Sequence, residues 1–413
     1  MRRGLLPVLL AVAVLLPDVA FAATPPPTPV PPNGSPSPFP TSLETPAARP
    51  GHEPAIGARA AVLLDMGSGQ ILFSTRPDRQ LPVASLTKVM TALLTIERSK
   101  PSEMVTVSED AAPPPHLVGV SALGLEAGER ISVENLLYAL LLQSAGDAAV
   151  ALAEHVSGST SSFVRDMNTR AAELGARSTH FMSPSGLDDS GYSTARDMAT
   201  IAAAAFGASL FTRIVGTKFK TLPGPPGGPE RRIQNRNVLL WLYPGSIGGK
   251  TGFTSKAGFC LIAVAERGDR TSMAVLLGEP GEAFSDAAGL LSWSFDAFGS
   301  STVVRAGEPF GRRQIGGSVV DVAAGKELTL LVPTAEAPSS RAVLSESSGL
   351  GPQPGDAVGA VVVSAGGSKL GQVPLVVVRV VRQEEEPSDS WWTRAGSSVF
   401  EAFSAALDGT VGG

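Results

Sequence analysis

The 413-residue sequence contains one cysteine and four histidines. With Cys260 alone there is no intramolecular disulfide framework, so an oxidising compartment is permitted but not demanded. The histidines form no cluster with ligand spacing, so no metal centre is expected among them. Their scarcity also leaves any serine nucleophile short of its usual base. Charge is sparse and mixed, with 33 Lys and Arg against 38 Asp and Glu for a net −5. No basic run suggests nucleic acid, and none is expected as a partner. No repeat occurs at solenoid spacing.

No apolar run reaches the about 20 residues that cross a bilayer. The longest near the amino end, Leu5 to Leu16, follows Arg2 and Arg3 and precedes the small-residue stretch Ala20 to Ala22. That order predicts a signal peptide over 1–22 rather than an anchor. Cys260 lies far from the cleavage site, which argues against a lipid-modified amino terminus. Residues 23–53 are rich in Pro, Ser and Thr and predict an extended tether with polyproline II character.

The chain beyond residue 53 is long enough for two domains. Ala60 to Asp65 and Gln70 to Ser74, separated by Gly67, Ser68 and Gly69, read as a hairpin. Leu86, Val89, Met90, Leu93, Leu94 and Ile96 recur at the helical period behind Pro82. Ser132 to Val156 reads as two apolar helices interrupted by the small, polar "QSAGD". Two more amphipathic helices follow. Ala257 to Ala265 and Thr271 to Leu277 then read as paired strands, with a helix after them. The predicted class is α+β, an antiparallel sheet covered by helices. Beyond Gly299 only short β runs between Gly and Pro turns remain, which predicts a small all-β domain over 300–385. The catalytic region is then 54–299.

Chemistry enters with "LPVASLTKVMTALL". Ser85 and Lys88 lie three residues apart at the mouth of a helix, where side chains at that spacing touch. A neutral lysine amine can take the serine proton and make a nucleophile without histidine. A free lysine titrates near about 10.4, so it must be depressed by about 3 units, or about 4 kcal/mol. Burial, a second cation and a helix amino end all act in that direction. The mechanism therefore predicts a second basic residue in the cleft. Alone, S-x-x-K is weak evidence, since a chain of this size holds about one by chance. Two further stretches keep it company. "LLQSAGDAA" sets Ser144 in a turn between helices. "GGKTGFTSKAGF" offers Lys250 as a cation and carboxylate anchor, Thr251 as a hydroxyl donor, and Gly252 for close approach.

The set Ser85-Leu86-Thr87-Lys88, Ser144-Ala145-Gly146 and Lys250-Thr251-Gly252 resembles that of the D-alanyl-D-alanine carboxypeptidases. These are the low-molecular-mass penicillin-binding proteins, which share S-x-x-K, S-x-N and K-T-G with class A β-lactamases. Flanks such as "DMGSGQILF", "DAAVALAEHV" and "GLDDSGYSTARDMATIA" match as well, and the resemblance covers about residues 54 to 385. It implies a β-lactamase/transpeptidase-like sheet with helices. It makes Ser85 the nucleophile, Lys88 the general base and Ser144 the proton relay. Lys250 and Thr251 would hold the terminal carboxylate of a peptidoglycan pentapeptide, and the N–H groups of Ser85 and Phe253 would form the oxyanion hole. β-Lactams would acylate Ser85, and no cofactor is needed.

One position departs from the pattern. Gly146 stands where the family has an asparagine that holds the substrate amide and touches the base. Asp147 comes next, as an aspartate does in the family motif, so it is not read as the substitute. Two alternatives stay open: a non-catalytic homologue that binds wall peptide, and a β-lactamase, which needs a glutamate for deacylation. Finally, Trp391 to Leu407, within the segment 386–413, puts Trp392, Val399, Phe403 and Leu407 near one helical face. It is too short to span a bilayer but suits its surface. The protein is expected outside the cytoplasmic membrane, facing the wall.

Overall fold

A computed structural model describes residues 53–113, 122–345, 351–365 and 367–381. The expected signal peptide, nearly all of the Pro-rich linker and the amphipathic tail lie outside these residues.

The chain begins with strands β1 (Ala60–Asp65) and β2 (Ile71–Thr75), then a 3-10 turn (Ala84–Thr87) that runs into α1 (Lys88–Arg98). Two short strands, β3 (Met104–Thr106) and β4 (Arg130–Ser132), pair before α2 (Val133–Tyr138). A π turn (Ala139–Gln143) ends that helix, and α3 (Gly146–Ser157) and α4 (Thr160–Glu173) come after it. Next come α5 (Ala195–Phe206), α6 (Ser209–Val215), a small hairpin of β5 (Phe219–Leu222) and β6 (Arg231–Gln234), and the one-turn α7 (Leu239–Leu242). Strands β7 (Ser246–Thr254), β8 (Gly258–Arg267) and β9 (Arg270–Glu279) then lead to α8 (Ala283–Asp296).

Five of these strands form one sheet in the order β2-β1-β9-β8-β7, antiparallel throughout. Its two faces arise from the period-two alternation of strand side chains. Val62, Ile262, Val264, Met273 and Val275 point into a core shared with α1 to α6. Their neighbours Leu63, Leu261, Ala263, Ala274 and Leu276 point the other way, onto Leu290, Leu291 and Trp293 of α8. The inner strands β1, β8 and β9 thus carry unbroken apolar runs, because both of their faces are covered. Helix entries are capped by short hydroxyl side chains that accept backbone N–H bonds, Ser132 for α2, Ser159 for α4 and Thr194 for α5.

After α8 the chain turns to strands alone. β10 (Phe298–Val304) pairs with β13 (Leu328–Pro333). β11 (Pro309–Ile315), β12 (Ser318–Ala324), β14 (Ser339–Leu344), β15 (Ala357–Ala365) and β16 (Ser368–Val381) form a second antiparallel sheet in the order β11-β12-β16-β15-β14. Val320, Val322, Val361, Val363, Leu375 and Val377 make its separate core. Gln70 links the two parts like a strand partner. Its amide donates to the Leu331 carbonyl at 2.8 Å and accepts from the Leu331 N–H at 3.1 Å.

The α+β reading and the transpeptidase-like sheet with helices stand. Most predicted element ends moved by one to three residues, and the pairs β3–β4 and β5–β6, the short helices α6 and α7 and the strand β14 were not foreseen. Strands of three and four residues give too few alternations for a period to show.

Candidate active site

Ser85 sits in the 3-10 turn, not in the α-helix itself. The difference helps the pair. A 3-10 turn has 3.0 residues per turn, so positions i and i+3 eclipse rather than standing 60° apart. Lys88 Nζ lies 3.0 Å from Ser85 Oγ. The same Nζ donates to the Ser185 carbonyl at 2.6 Å, which fixes the amine against the Ser85 hydroxyl. The Ser185 carbonyl is held in turn. Thr91 Oγ1 donates to the neighbouring Pro184 carbonyl at 2.6 Å. Gly186 has φ +71°, and a Cβ there would stand 2.0 Å from the Ala84 carbonyl oxygen. Only glycine lets this segment lie on the nucleophile turn.

The second wall is β7, the edge strand of the sheet. The predicted strand pair begins only at Ala257, whereas the structure puts Lys250, Thr251, Gly252 and Phe253 inside β7. Lys250 Nζ donates to Ser144 Oγ at 3.0 Å and to the Thr251 carbonyl at 2.7 Å. Ser144 ends the π turn with φ +64°, a left-handed conformation uncommon for a non-glycine residue. A Cβ on Gly252 would stand 3.0 Å from Ser85 N and 3.1 Å from Leu86 N. The glycine of this strand is therefore where β7 and the nucleophile turn meet backbone to backbone. Phe253 beside it is 57% exposed, so its ring lies on the rim of the cleft.

Both lysines are fully buried. Burial is the chief reason the Lys88 amine is brought down to about 7, with the Arg236 guanidinium second and the Asp147 carboxylate opposing both. Lys250 is also pushed well down, first by burial, then by Lys88 and Arg236. Lys88 is in addition the first residue of α1, where the helix dipole disfavours a cation. The expected second basic residue is present, and it is more than Lys250. Arg236 is the cation that bears on both amines, and sequence reasoning missed it. It lies in "NRNVLLW", with no fixed spacing to any other site residue. Its backbone N–H donates to the Leu142 carbonyl at 3.1 Å, two residues before Ser144.

Gly146 opens α3 on the same wall as Ser144. Asp147 does not replace the missing amide. Its carboxylate accepts the N–H groups of Leu123, Gly124, Leu125 and Ala148 at 2.8–3.1 Å. It ties the chain 122–125 onto the start of α3. No group of three or more metal-ligating side chains occurs among the described residues.

The sequence profile of the D-alanyl-D-alanine carboxypeptidases, peptidase family S11, matches residues 47–281. The chain belongs to that family. It is 33% identical to the D-alanyl-D-alanine carboxypeptidase DacC of Escherichia coli over 347 residues, 80% of this chain and 86% of that one. It is 36% identical to DacF of Bacillus subtilis over 249 residues, where the match spans 63% of that relative. Among solved structures, penicillin-binding protein 5 of Haemophilus influenzae superposes with a TM-score of 0.64 at 30% identity, covering 80% of this chain and 99% of that one. The recognition of a D-alanyl-D-alanine carboxypeptidase from its motifs stands, and so does the serine-type carboxypeptidase class.

A base that must be neutral to act gives a pH signature. Lys88 is mostly protonated below about 7 and mostly neutral above it. The rate at which penicillin acylates the protein should rise about tenfold per unit on the acid side and level off on the alkaline side. Arg236→Gln removes a cation that disfavours the ammonium, so the same limb should move to higher pH. A rate independent of pH from 5 to 9 (about the range these groups span) would count against Lys88 as the base.

Proposed function

We propose that this protein removes the terminal D-alanine from peptidoglycan stem peptides through an acyl-enzyme on Ser85. The observation that carries the reading is the Lys88 amine, 3.0 Å from Ser85 Oγ and brought down to about 7. Lys88 takes the Ser85 proton as Oγ attacks the carbonyl between the two D-alanines. The N–H groups of Ser85 and Phe253 receive the oxyanion, an arrangement typically worth several kcal/mol to the transition state. The close approach of Gly252 to Ser85 N supports that assignment. The C–N bond then breaks, and the leaving amine takes a proton through the Ser144 hydroxyl, which Lys250 holds. Water attacks the ester with Lys88 again as base, and Ser85 is restored. Lys250 and Thr251 hold the substrate carboxylate. That anion relieves the crowding of Lys250, Lys88 and Arg236. A β-lactam presents the same carbonyl and carboxylate, acylates Ser85, and lacks a leaving group that departs.

The nucleophile assignment is tested by labelling with fluorescent penicillin. Ser85→Ala should abolish the label and the release of D-alanine from a pentapeptide. A label that survives the substitution sinks the assignment, and a wild type that takes the label but releases no D-alanine favours the non-catalytic reading.

Gly146 sets the expected vigour of the enzyme. A missing polar contact typically costs about 1–3 kcal/mol, which weakens turnover without abolishing it. Gly146→Asn should raise kcat/KM for the pentapeptide by about 5- to 150-fold. A fall on adding the amide would mean that another group already serves the substrate there.

The working location is outside the cytoplasmic membrane, with the segment 391–413 as a surface anchor. Deleting 391–413 should shift the mature protein from the membrane fraction to the soluble one with soluble-peptide turnover unchanged. Retention in the membrane fraction would exclude the tail as the anchor.

A further inference from the structure

The hairpin of β5 and β6 gathers charge that the rest of the chain does not. From residue 217 to 236 there are Lys218, Lys220, Arg231, Arg232 and Arg236 against Glu230 alone, in a chain whose net charge is −5. In sequence the cations are spread over two strands and a Pro/Gly loop, so no run is visible. Pairing sets Lys220 opposite the buried Ile233 and Thr221 opposite Arg232, so Lys220 leaves the inner face of the hairpin and Arg232 the outer one.

These cations are held in an unusual way. Arg231 is neutralised by Glu129 at 2.6 Å, and Arg213 nearby by Glu134 at 2.9 Å. Lys218, Lys220 and Arg232 pair with no carboxylate among the described residues. Each stands over an aromatic ring instead. Lys218 Nζ is 5.6 Å from the Trp241 centroid, Lys220 Nζ 4.6 Å from that of Tyr138, and Arg232 Cζ 5.5 Å from that of Phe219. Phe219 and Trp241 are themselves packed edge to face at 5.6 Å. A carboxylate partner would restrain a cation and cancel its charge. A ring quadrupole restrains it and leaves the charge in place. Lys218 and Arg232, on either side of the Phe219–Trp241 pair, thus form a preorganised cationic edge that no carboxylate among the described residues neutralises, with Lys220 behind it on the inner face.

This surface runs into the cleft. The Asn235 N–H donates to the Lys218 carbonyl at 2.9 Å and continues the ladder, and Arg236 comes next, at the two buried lysines. Arg232 to Arg236 is four residues, about 13 Å of extended chain. That is within the reach of a short peptide whose end lies at Ser85.

We propose that the β5–β6 hairpin is a docking surface for the carboxylates of polymeric peptidoglycan beside the reacting stem peptide. The inference rests on the wall-peptide reading above. A chain of net negative charge approaches a polymer rich in carboxylates against mutual repulsion. Fixed cations next to the cleft reverse that repulsion locally and favour encounter in the productive orientation. A single soluble pentapeptide fills the cleft without needing this surface; a sacculus does.

The test is co-sedimentation of the full chain with purified sacculi over a range of salt. The variant Lys218→Met, Lys220→Met, Arg232→Met keeps an apolar stem on each ring and removes the charges. It should lose about tenfold in affinity for sacculi and most of the salt dependence. Its rate of penicillin labelling and its turnover of soluble pentapeptide should match wild type. Sacculi whose carboxylates have been amidated should bind wild type as weakly as native sacculi bind the variant. Unchanged sedimentation of the variant overturns the proposal. So does full binding of wild type to amidated sacculi, and so does a charge-dependent gain seen only with phosphatidylglycerol vesicles. If the triple variant fails to take penicillin, Arg232→Met alone decides, with a partial loss of sacculus binding expected and no loss fatal. Loss of D-alanine release in the wild type would instead strike the carboxypeptidase reading, and the sacculus measurement would still stand.

Discussion

The cost of burying a lysine charge governs this cleft. An ammonium moved out of water loses several kcal/mol of hydration unless it is paired, and it sheds its proton instead. Lys88 is buried, has a hydroxyl and one carbonyl as near partners, and feels the repulsion of the Arg236 guanidinium. Everything needed to make a base from an amine is therefore supplied by packing. No histidine bonds to Ser85 or Lys88 among the described residues. The same packing sets the apolar residues of α1 around Ser85 and Lys88, with the buried Thr91 hydroxyl satisfied by the Pro184 carbonyl. Leu86, Val89 and Met90 exclude water around the amine.

That constraint requires two backbone segments to close over one turn, and each closes through a glycine. Gly186 brings the Ser185 carbonyl onto Lys88, while Gly252 brings the edge strand β7 onto Ser85. The edge position of β7 matters here. An edge strand has one row of backbone groups free of sheet pairing. An extended peptide can lie along it, and a carboxylate can reach Lys250 and Thr251 at the same time. Asp147 completes the enclosure by tying the 122–125 chain to the helix that begins just after Ser144. In the proposed mechanism it does so at a price to the base, because its charge raises the Lys88 amine that burial and Arg236 lower.

The parts of this site that were legible in the sequence are those carried by side-chain type at short spacing. Ser85 and Lys88 show themselves by one turn of helix, and Lys250, Thr251 and Gly252 by adjacency. Ser144 shows itself as a small polar interruption between apolar helices. The illegible parts depend on tertiary contact. Arg236 reaches the lysines only because β6 ends beside the π turn, a pairing no local pattern announces. Ser185 contributes a carbonyl, which every residue possesses, so its identity says nothing. Asp147 could be named but not assigned, since its partners are four backbone N–H groups. The main sheet was legible for the opposite reason. Its inner strands are continuous apolar runs that bury both faces, so β1, β8 and β9 stand out while the short pairs do not.

Gly146 puts two effects in opposition. In the family resemblance an asparagine at this position serves the substrate amide and touches the base. Its absence takes a hydrogen bond from the substrate, which raises the free energy of the bound peptide and of its transition state alike. It also takes a polar neighbour from Lys88. An amide oxygen beside a buried amine stabilises the charged form. Without it the neutral amine is more easily reached, and burial with Arg236 already brings the amine to about 7. In the proposed mechanism the glycine therefore weakens the grip on the peptide while favouring the neutral form of Lys88. A β-lactam has less need of the amide contact, because its ring fixes the carbonyl and the carboxylate relative to each other before binding. Preorganisation of that kind lowers the ordering cost of reaching the transition state. In the proposed mechanism the deficit at Gly146 thus falls harder on a flexible stem peptide than on the rigid mimic, and the acylation step suffers less than the holding of the peptide.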